Sequence, residues 1–162
     1  MSDLHIDDFC RDTARALSML YQKFPQKIIL YVEDIAGADT PDEFGLHSPR
    51  FLAAFNALLW LAETDYIQFR QTIRQEAIED ATLTHRCFTF LSGPAAESTS
   101  QLFHSPDPTP DSNTDSNPGI DPAPVPRLPR RIDLLRDTLA SKSSDQLKAL
   151  ILAFMQESRQ YQ

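Results

Sequence analysis

The chain has 162 residues, of which 41% are hydrophobic and 23% charged, with 12 prolines, 4 glycines and a net charge of −8. This length allows one compact domain with a tail or a second small unit, and it excludes a large multidomain enzyme. The acidic balance disfavours sequence-independent nucleic-acid binding, because that affinity comes largely from Lys and Arg side chains that displace counterions from phosphates.

The N-terminal region predicts a helix followed by a short strand. Apolar residues recur at spacings of three and four between positions 9 and 24, which is typical of a helix with one buried face, and Pro25 ends it. Residues 27–33 are rich in β-branched and aromatic side chains and therefore predict a strand. An acidic, turn-rich stretch follows at 34–46, with room for one helical turn at 41–44.

A longer helix is predicted to begin at Ser48 and Pro49, because Ser is a preferred N-cap residue and proline suits the first helical position. It extends over residues 50–63. Trp60 points nearly opposite to the face that this helix is expected to bury. At about 100° per residue, the buried stripe consists of Phe51, Phe55, Leu58 and Ala62.

The next stretch predicts a strand and a last short helix. Residues 66–74 alternate between apolar and polar side chains, which is typical of a half-exposed strand that enters a polar turn. Residues 75–82 fit a helix by their Glu and Ala content, or a return strand that completes a hairpin. Thr84 is a suitable cap for a short helix with Phe88 and Leu91 turned inward.

Composition divides the chain into a domain at 1–92, a linker at 93–129 and a helical unit at 130–162. Nine of the 12 prolines lie between positions 92 and 129, among many Ser, Asp, Thr and Asn residues. Because large apolar residues are scarce there, burial cannot offset an ordering cost of ~1 to 2 kcal/mol per residue. We therefore expect the linker to be disordered.

The last segment predicts two short amphipathic helices joined by four polar residues, which together form an αα-hairpin. Their apolar stripes consist of Ile132, Leu135 and Leu139 in the first helix and Leu147, Leu150, Ile151 and Phe154 in the second. Such a short unit cannot form a stable core alone, so the stripes must bury against the first domain, a second copy or a partner. We expect the hairpin to mediate self-association as a dimer, with docking over Trp60 in the same chain as the competing arrangement.

The order helix, strand, short helix, long helix, two-stranded hairpin and helix resembles that of winged helix-turn-helix domains. Residues 57–67 look like the end of that family's recognition helix running into its wing, and residues 81–91 are similar to its closing segment, with Cys87 where many members have glycine. The resemblance covers residues 5–92. It implies an α+β fold with a small antiparallel sheet, and in DNA-binding members a recognition helix in the major groove.

The candidate DNA contacts follow from this resemblance. Base reading in such domains uses Arg, Lys, Asn or Gln on the recognition helix, and the wing contacts the backbone. Arg70, Arg74 and Arg86 would form a small basic cluster, but three phosphate contacts give only modest, salt-sensitive affinity. The full set of candidate DNA contacts is Arg50, Asn56, Arg70, Thr72, Arg74 and Arg86.

A second candidate surface is centred on Trp60. An outward-facing Trp with Leu52 at its flank is the kind of anchor that dominates protein interfaces, unless another part of the monomer covers it. Together with the two apolar stripes of the hairpin, it forms the candidate protein interface. We therefore expect a non-catalytic adaptor or accessory subunit, with a DNA-binding transcriptional regulator as the alternative.

The sequence carries no motif that points to catalysis. It has no glycine-rich phosphate loop, no metal-ligand spacing and no Gly-x-Ser-x-Gly, so we expect no enzyme activity, cofactor, metal or small-molecule substrate. Cys10 and Cys87 are expected to be buried thiols. The acidic N-terminus and the lack of a long apolar run predict a cytoplasmic protein with no membrane partner.

Overall fold

A computed structural model describes residues 3–103 and 127–161. Within those ranges the chain has an α+β architecture, with helices and a small, partly exposed antiparallel sheet of four short strands. The elements in chain order are α1 (Leu4–Lys23), β1 (Ile28–Tyr31), α2 (Val32–Ala36), α3 (Pro49–Glu63), β2 (Ile67–Gln68), β3 (Gln71–Ile73), β4 (Ala77–Leu83), α4 (His85–Ser92), α5 (Glu97–Phe103), α6 (Arg131–Ala140) and α7 (Ser144–Ser158), followed by a 3₁₀ turn at Arg159–Tyr161.

Strand β4 is the centre of the sheet. Residues 75–82, for which the sequence allowed a helix or a return strand, therefore contribute mainly to a strand. β1 pairs with it antiparallel through Leu30 and Ile78, and β3 pairs with the same part of β4 from the other side. β2 pairs with its last two residues. Ile78 and Leu83 are fully buried because β4 is covered by strands along both edges and packs against α1.

The predicted N-terminal caps of α3 and α4 are confirmed. The Ser48 hydroxyl accepts a hydrogen bond from the Phe51 N–H at 3.3 Å, and Pro49 begins α3. The Thr84 hydroxyl likewise accepts from the Cys87 N–H at 3.1 Å at the start of α4. These caps are local side-chain to backbone bonds, which explains why short sequence patterns were enough to predict them.

The first strand is confirmed but shorter than predicted, and the helical turn expected after it is wrong. The strand expected at 27–33 ends at Tyr31, and the chain turns directly into the short helix α2, which buries Val32 and Ile35. The helical turn expected at 41–44 is instead a hydrogen-bonded turn from Asp42 to Gly45. Burial of the two apolar residues in the core therefore outweighed the extended preference of the β-branched run.

Residues 93–103 and 127–129 of the predicted linker belong to the folded part of the chain. The Ala95 N–H bonds to the Pro129 carbonyl at 2.9 Å, and the Arg131 N–H bonds to the Gly93 carbonyl at 3.0 Å, so these two segments pair antiparallel. Residues 97–103 then form α5, which buries Thr99. The prediction of disorder is thus wrong for 93–103, because polar residues there bond to the folded chain. The part of the predicted linker at 104–126 lies outside the described residues.

The C-terminal hairpin is present and packs within the chain. Helices α6 and α7 lie against α1, and α6 also packs on α4. Ile132 and Leu150 are fully buried in a core that they share with Leu17 and Leu20 of α1. The hairpin is therefore docked within the chain, but it lies against α1 and α4 instead of over Trp60, which stays 39% exposed. The apolar stripes that were expected to mediate self-association are covered by the same chain.

Candidate functional site

A groove of about 500 Å³ runs between the first half of α1 and the outer face of α3. Residues 53, 56, 57 and 60 of α3 are spaced by three and four, so they form one helical face. The α1 side is mostly apolar near Trp60. The lining residues are His5, Ile6, Phe9 and Asp12 from α1, and Ala53, Asn56, Ala57 and Trp60 from α3.

Trp60 is held in place while a large part of it stays in solvent. The Phe9 ring meets its indole edge-to-face, with ring centroids 5.3 Å apart, and Tyr66 stacks near it at 6.3 Å. The Tyr66 hydroxyl is itself 2.7 Å from the Ser158 hydroxyl of α7. Trp60 nevertheless keeps 39% of its surface exposed. An aromatic ring that is fixed by packing and still exposed loses little conformational entropy when it binds a partner.

A second, more polar concavity of about 770 Å³ lies on the other side of Trp60. Its walls come from the end of α3, the turn into β2, the start of α4 and the end of α7. Glu63 and Asp65 lie on one side, and Arg86 and Arg159 contribute positive charge. Leu152, which is 45% exposed, adds a further apolar contact point. The Trp60 ring thus separates an apolar groove from a charged one.

A buried ion pair closes one end of the apolar groove. The Arg50 guanidinium donates two hydrogen bonds to the Asp12 carboxylate, at 2.8 and 2.6 Å, and its Nε lies 3.6 Å from Asp8. Burial raises the pKa of Asp12 above its ordinary value, and the hydrogen bonds from Arg50 oppose that rise. The bidentate geometry is that of an ionised carboxylate.

Arg50, which the resemblance placed among the DNA contacts, is therefore engaged within the chain. Its side chain crosses to α1 because Asp12 is only 2% exposed and needs a partner. Arg86 is likewise bound: its guanidinium donates to the Ser158 carbonyl at 3.0 Å. Neither guanidinium is presented as a free phosphate contact, which corrects the expectation for these two residues.

The remaining candidate DNA contacts are exposed but do not form a basic cluster. Arg70 lies 3.9 Å from Asp80, and Thr72 pairs with the central strand. Arg74 occupies the turn before β4 with a positive φ of 51°. Asn56 is exposed in the apolar groove rather than on a charged surface. Three acids, Glu76, Glu79 and Asp80, lie on the same hairpin, so the positive charge expected of Arg70 and Arg74 is offset there, and Arg86 is bound to α7.

The predicted protein-interface residues divide into two groups. Trp60 is exposed, and Leu52 and Leu139 are half-buried. The other hairpin residues are at most 5% exposed and belong to the shared core, so they form no free surface; these are Ile132, Leu135, Leu147, Leu150, Ile151 and Phe154. The expectation of an interface on these six residues is therefore corrected, because α1 and α4 cover them.

Sequence reasoning missed the contribution of α1 to the groove. Phe9 was assigned to the buried stripe, whereas it is half-buried and forms a wall beside Trp60. Asp8 and Asp12 lie one helical turn apart, and that spacing on a partly apolar helix signals a shared cation. The cation, Arg50, lies 38 residues away from Asp12 in the sequence, so no local pattern could identify it.

No family model matches the chain, and neither the curated proteins nor the solved structures searched contain a similar one. In residues 3–103 and 127–161 no group of three or more His, Cys, Asp or Glu side chains is arranged to hold a metal ion. Over the same part of the chain, every helix is too short or too polar to cross a membrane. The geometry of the chain itself is thus the basis for assigning a function.

Proposed function

We propose that the chain is a non-catalytic, cytoplasmic adaptor of the winged-helix type, which binds an amphipathic helix of a partner protein in the groove between α1 and α3. The observation that carries this proposal is the rigid, 39% exposed Trp60 at the edge of an apolar groove of about 500 Å³. Helices that dock in grooves anchor through apolar side chains spaced by three, four and seven residues. The groove is lined over about two turns of each helix, by residues 5–12 of α1 and 53–60 of α3, which matches the spacing of such anchors.

The topology supports the winged-helix assignment. β1 follows α1, the long α3 precedes the β2–β3–β4 unit, and β4 lies between β1 and the strands of the hairpin. This is the order that the sequence resemblance implies. In that arrangement α3 corresponds to the recognition helix, and its outer face carries Ala53, Asn56 and Trp60 instead of a row of basic side chains.

The charge around the groove indicates the chemistry of the partner. The chain carries a net charge of −8, and Glu63 and Asp65 lie beside Trp60 on the polar side. Arg86 and Arg159 offset these two acids locally, so it is the acidity of the chain as a whole that favours a partner helix with apolar anchors and flanking Lys or Arg residues. Long-range attraction would speed its association, whereas the buried apolar contacts would set its lifetime.

The exposed surface of Trp60 gives an estimate of its contribution to the binding free energy. A Trp side chain buries roughly 150–250 Å² on full burial, so covering the exposed 39% removes about 60 to 100 Å² from water. At about 25 cal/mol per Å² this contributes ~1.5 to 2.5 kcal/mol, or a ten- to seventyfold change in Kd. Trp60→Ala should weaken binding by at least that factor, since the Phe9 ring also loses its neighbour.

The test uses a synthetic amphipathic helix with Leu and Phe anchors and flanking lysines, and follows the fluorescence of the only tryptophan in the chain. We expect a saturable blue shift of the Trp60 emission. Ala53→Arg, in the groove, should abolish it, whereas Gln22→Arg, an equal change of charge on an exposed α1 position outside the groove, should not. Equal binding by both variants would refute the proposal.

DNA binding makes the opposite prediction. A random-sequence duplex bound through the wing should lose affinity steeply with salt and fail to bind when Arg70 and Arg74 are both changed to Glu. The proposed helix groove should be indifferent to that double charge reversal. A salt-sensitive duplex complex that disappears in the double variant would overturn the adaptor assignment in favour of a DNA-binding regulator.

A further inference from the structure

A third concavity, of about 490 Å³, lies where the turn between α6 and α7 meets α1, across the Asp12–Arg50 ion pair from the Trp60 groove. Four of its lining side chains are cations, although the whole chain is strongly acidic. Ala36, Leu139 and Leu147 provide an apolar wall. The charged residues that line it are Arg11, Arg15, Arg50 and Lys142.

The positive charge in this pocket is only partly neutralised. Arg50 is paired with Asp12 and Asp8, and Arg11 lies 3.5 Å from the same Asp8 carboxylate. Arg15 donates to the backbone carbonyl of Ile35 at 2.6 Å, and in the part of the chain that the structure describes neither Arg15 nor Lys142 pairs with a carboxylate. Among the lining side chains and their ion-pair partners, four cations face two carboxylates, which leaves a surplus of two positive charges. Asp145, in the first turn of α7, is exposed and does not line the pocket.

The pocket also holds the serine-rich start of α7. Ser143 and Ser144 line it, and the first backbone N–H groups of a 15-residue helix have no partner within that helix. Arg11 fixes this end of the helix, because its guanidinium donates to the Ser144 hydroxyl at 2.9 Å. The cations are the main feature of the pocket, and the helix dipole adds to their field.

We infer that this pocket binds the phosphate group of a small organic phosphate. A dianionic phosphate matches the surplus of two positive charges, and the guanidinium of Arg15 with the ammonium of Lys142 supplies the charge-assisted donors. A volume of about 490 Å³ exceeds what one phosphate needs and lies within the range of small-molecule sites. The wall formed by Leu139 and Leu147 accommodates an apolar ester group. The inference is independent of the proposed helix groove.

The test is a titration of the full-length, isotope-labelled chain by NMR, with inorganic phosphate and phenyl phosphate as probes at constant ionic strength. We expect saturable shifts that are largest at the amides of Ser143 and Ser144. Tighter binding of phenyl phosphate supports an organic phosphate and a role for the apolar wall. Equal binding of the two probes would contradict that role and limit the site to the phosphate group alone.

Two variants remove one donor each without touching the Arg11–Ser144 bond. Arg15→Gln and Lys142→Gln should each weaken phosphate binding about tenfold or more, the usual effect of losing a charge-assisted bond. Lys23→Gln removes an exposed cation at the far end of α1 and should leave binding unchanged. Absence of saturation up to tens of millimolar phosphate, or an equal loss in Lys23→Gln, would overturn the inference.

Discussion

Replacing Leu150 by Ala tests whether the hairpin is an integral part of the fold. Leu150 is fully buried on α7 and belongs to the core that includes Leu17 and Leu20 of α1. Truncating a buried Leu to Ala costs about 2 to 5 kcal/mol, which combines lost transfer free energy with the cavity left behind. For a chain of this length that corresponds to a fall in Tm of roughly 5 to 15 °C.

The matched control is Leu152→Ala, two residues further along the same helix, where the side chain is 45% exposed. That variant should lose less than about 1 kcal/mol, because most of its surface already contacts water. Urea and thermal unfolding of both variants measure the difference. If Leu150→Ala and Leu152→Ala have the same free energy of unfolding, α7 does not pack on α1 in solution. A Tm that rises with protein concentration would instead place the hairpin on a second copy.

Three further outcomes are expected. In denaturant unfolding, Arg131→Met should destabilise the chain by about 3 kcal/mol, since it leaves the half-buried Glu157 carboxylate without its cation. Arg130→Met removes only an exposed pair and should leave the unfolding midpoint nearly unchanged. Burial raises the pKa of Cys10 to about 11 and that of Cys87 to about 12, so a thiol reagent should label neither in the folded chain at neutral pH and both in urea. Hydrogen bonds from Ser48, the N-cap residue of α3, lower the pKa of Asp39 from its ordinary value of 3.8. The ionised Asp39 therefore stabilises the fold above pH 3.8, and this stabilisation is lost as the pH falls through the lowered pKa. The Tm values of wild type and Asp39→Asn should differ at neutral pH and converge below that pKa.

Elements encoded by adjacent residues were predictable from the sequence. The caps at Ser48 and Thr84 are formed by bonds that span three residues, so the start of α3 and of α4 follow from local chemistry. β4 was ambiguous because its Glu and Ala content favours a helix, and only pairing with both neighbours makes it the central strand. The pairing of β4 with its neighbouring strands therefore determines its conformation, which its local propensity does not.

The two adjacent arginines at the start of α6 show why buried polar residues escaped prediction. Arg130 remains exposed and pairs with Asp133 three residues later. Arg131 is 5% exposed, bonds to Glu157 at 3.0 Å and lies over the Phe90 ring at 4.1 Å. Their difference is positional, because residues 131, 134, 135 and 138 share the buried face of α6. The helical periodicity of α6 was enough to predict which arginine is buried, whereas its partner on α7, Glu157, could be identified only from the fold.

The Asp12–Arg50 pair connects two of the concavities. Asp12 lines the apolar groove beside Trp60, and Arg50 lines the basic pocket on the opposite side of the same ion pair. Because Asp12 is buried, its carboxylate needs the Arg50 guanidinium as a partner in the folded chain. One of the four cations of the pocket wall is therefore committed to the groove through Asp12, Arg11 is offset by Asp8, and the remaining positive field comes from Arg15 and Lys142. A substitution at Arg50 would disturb both concavities. Substitutions at Arg15 or Lys142 instead change the pocket alone, so they separate its function from that of the groove.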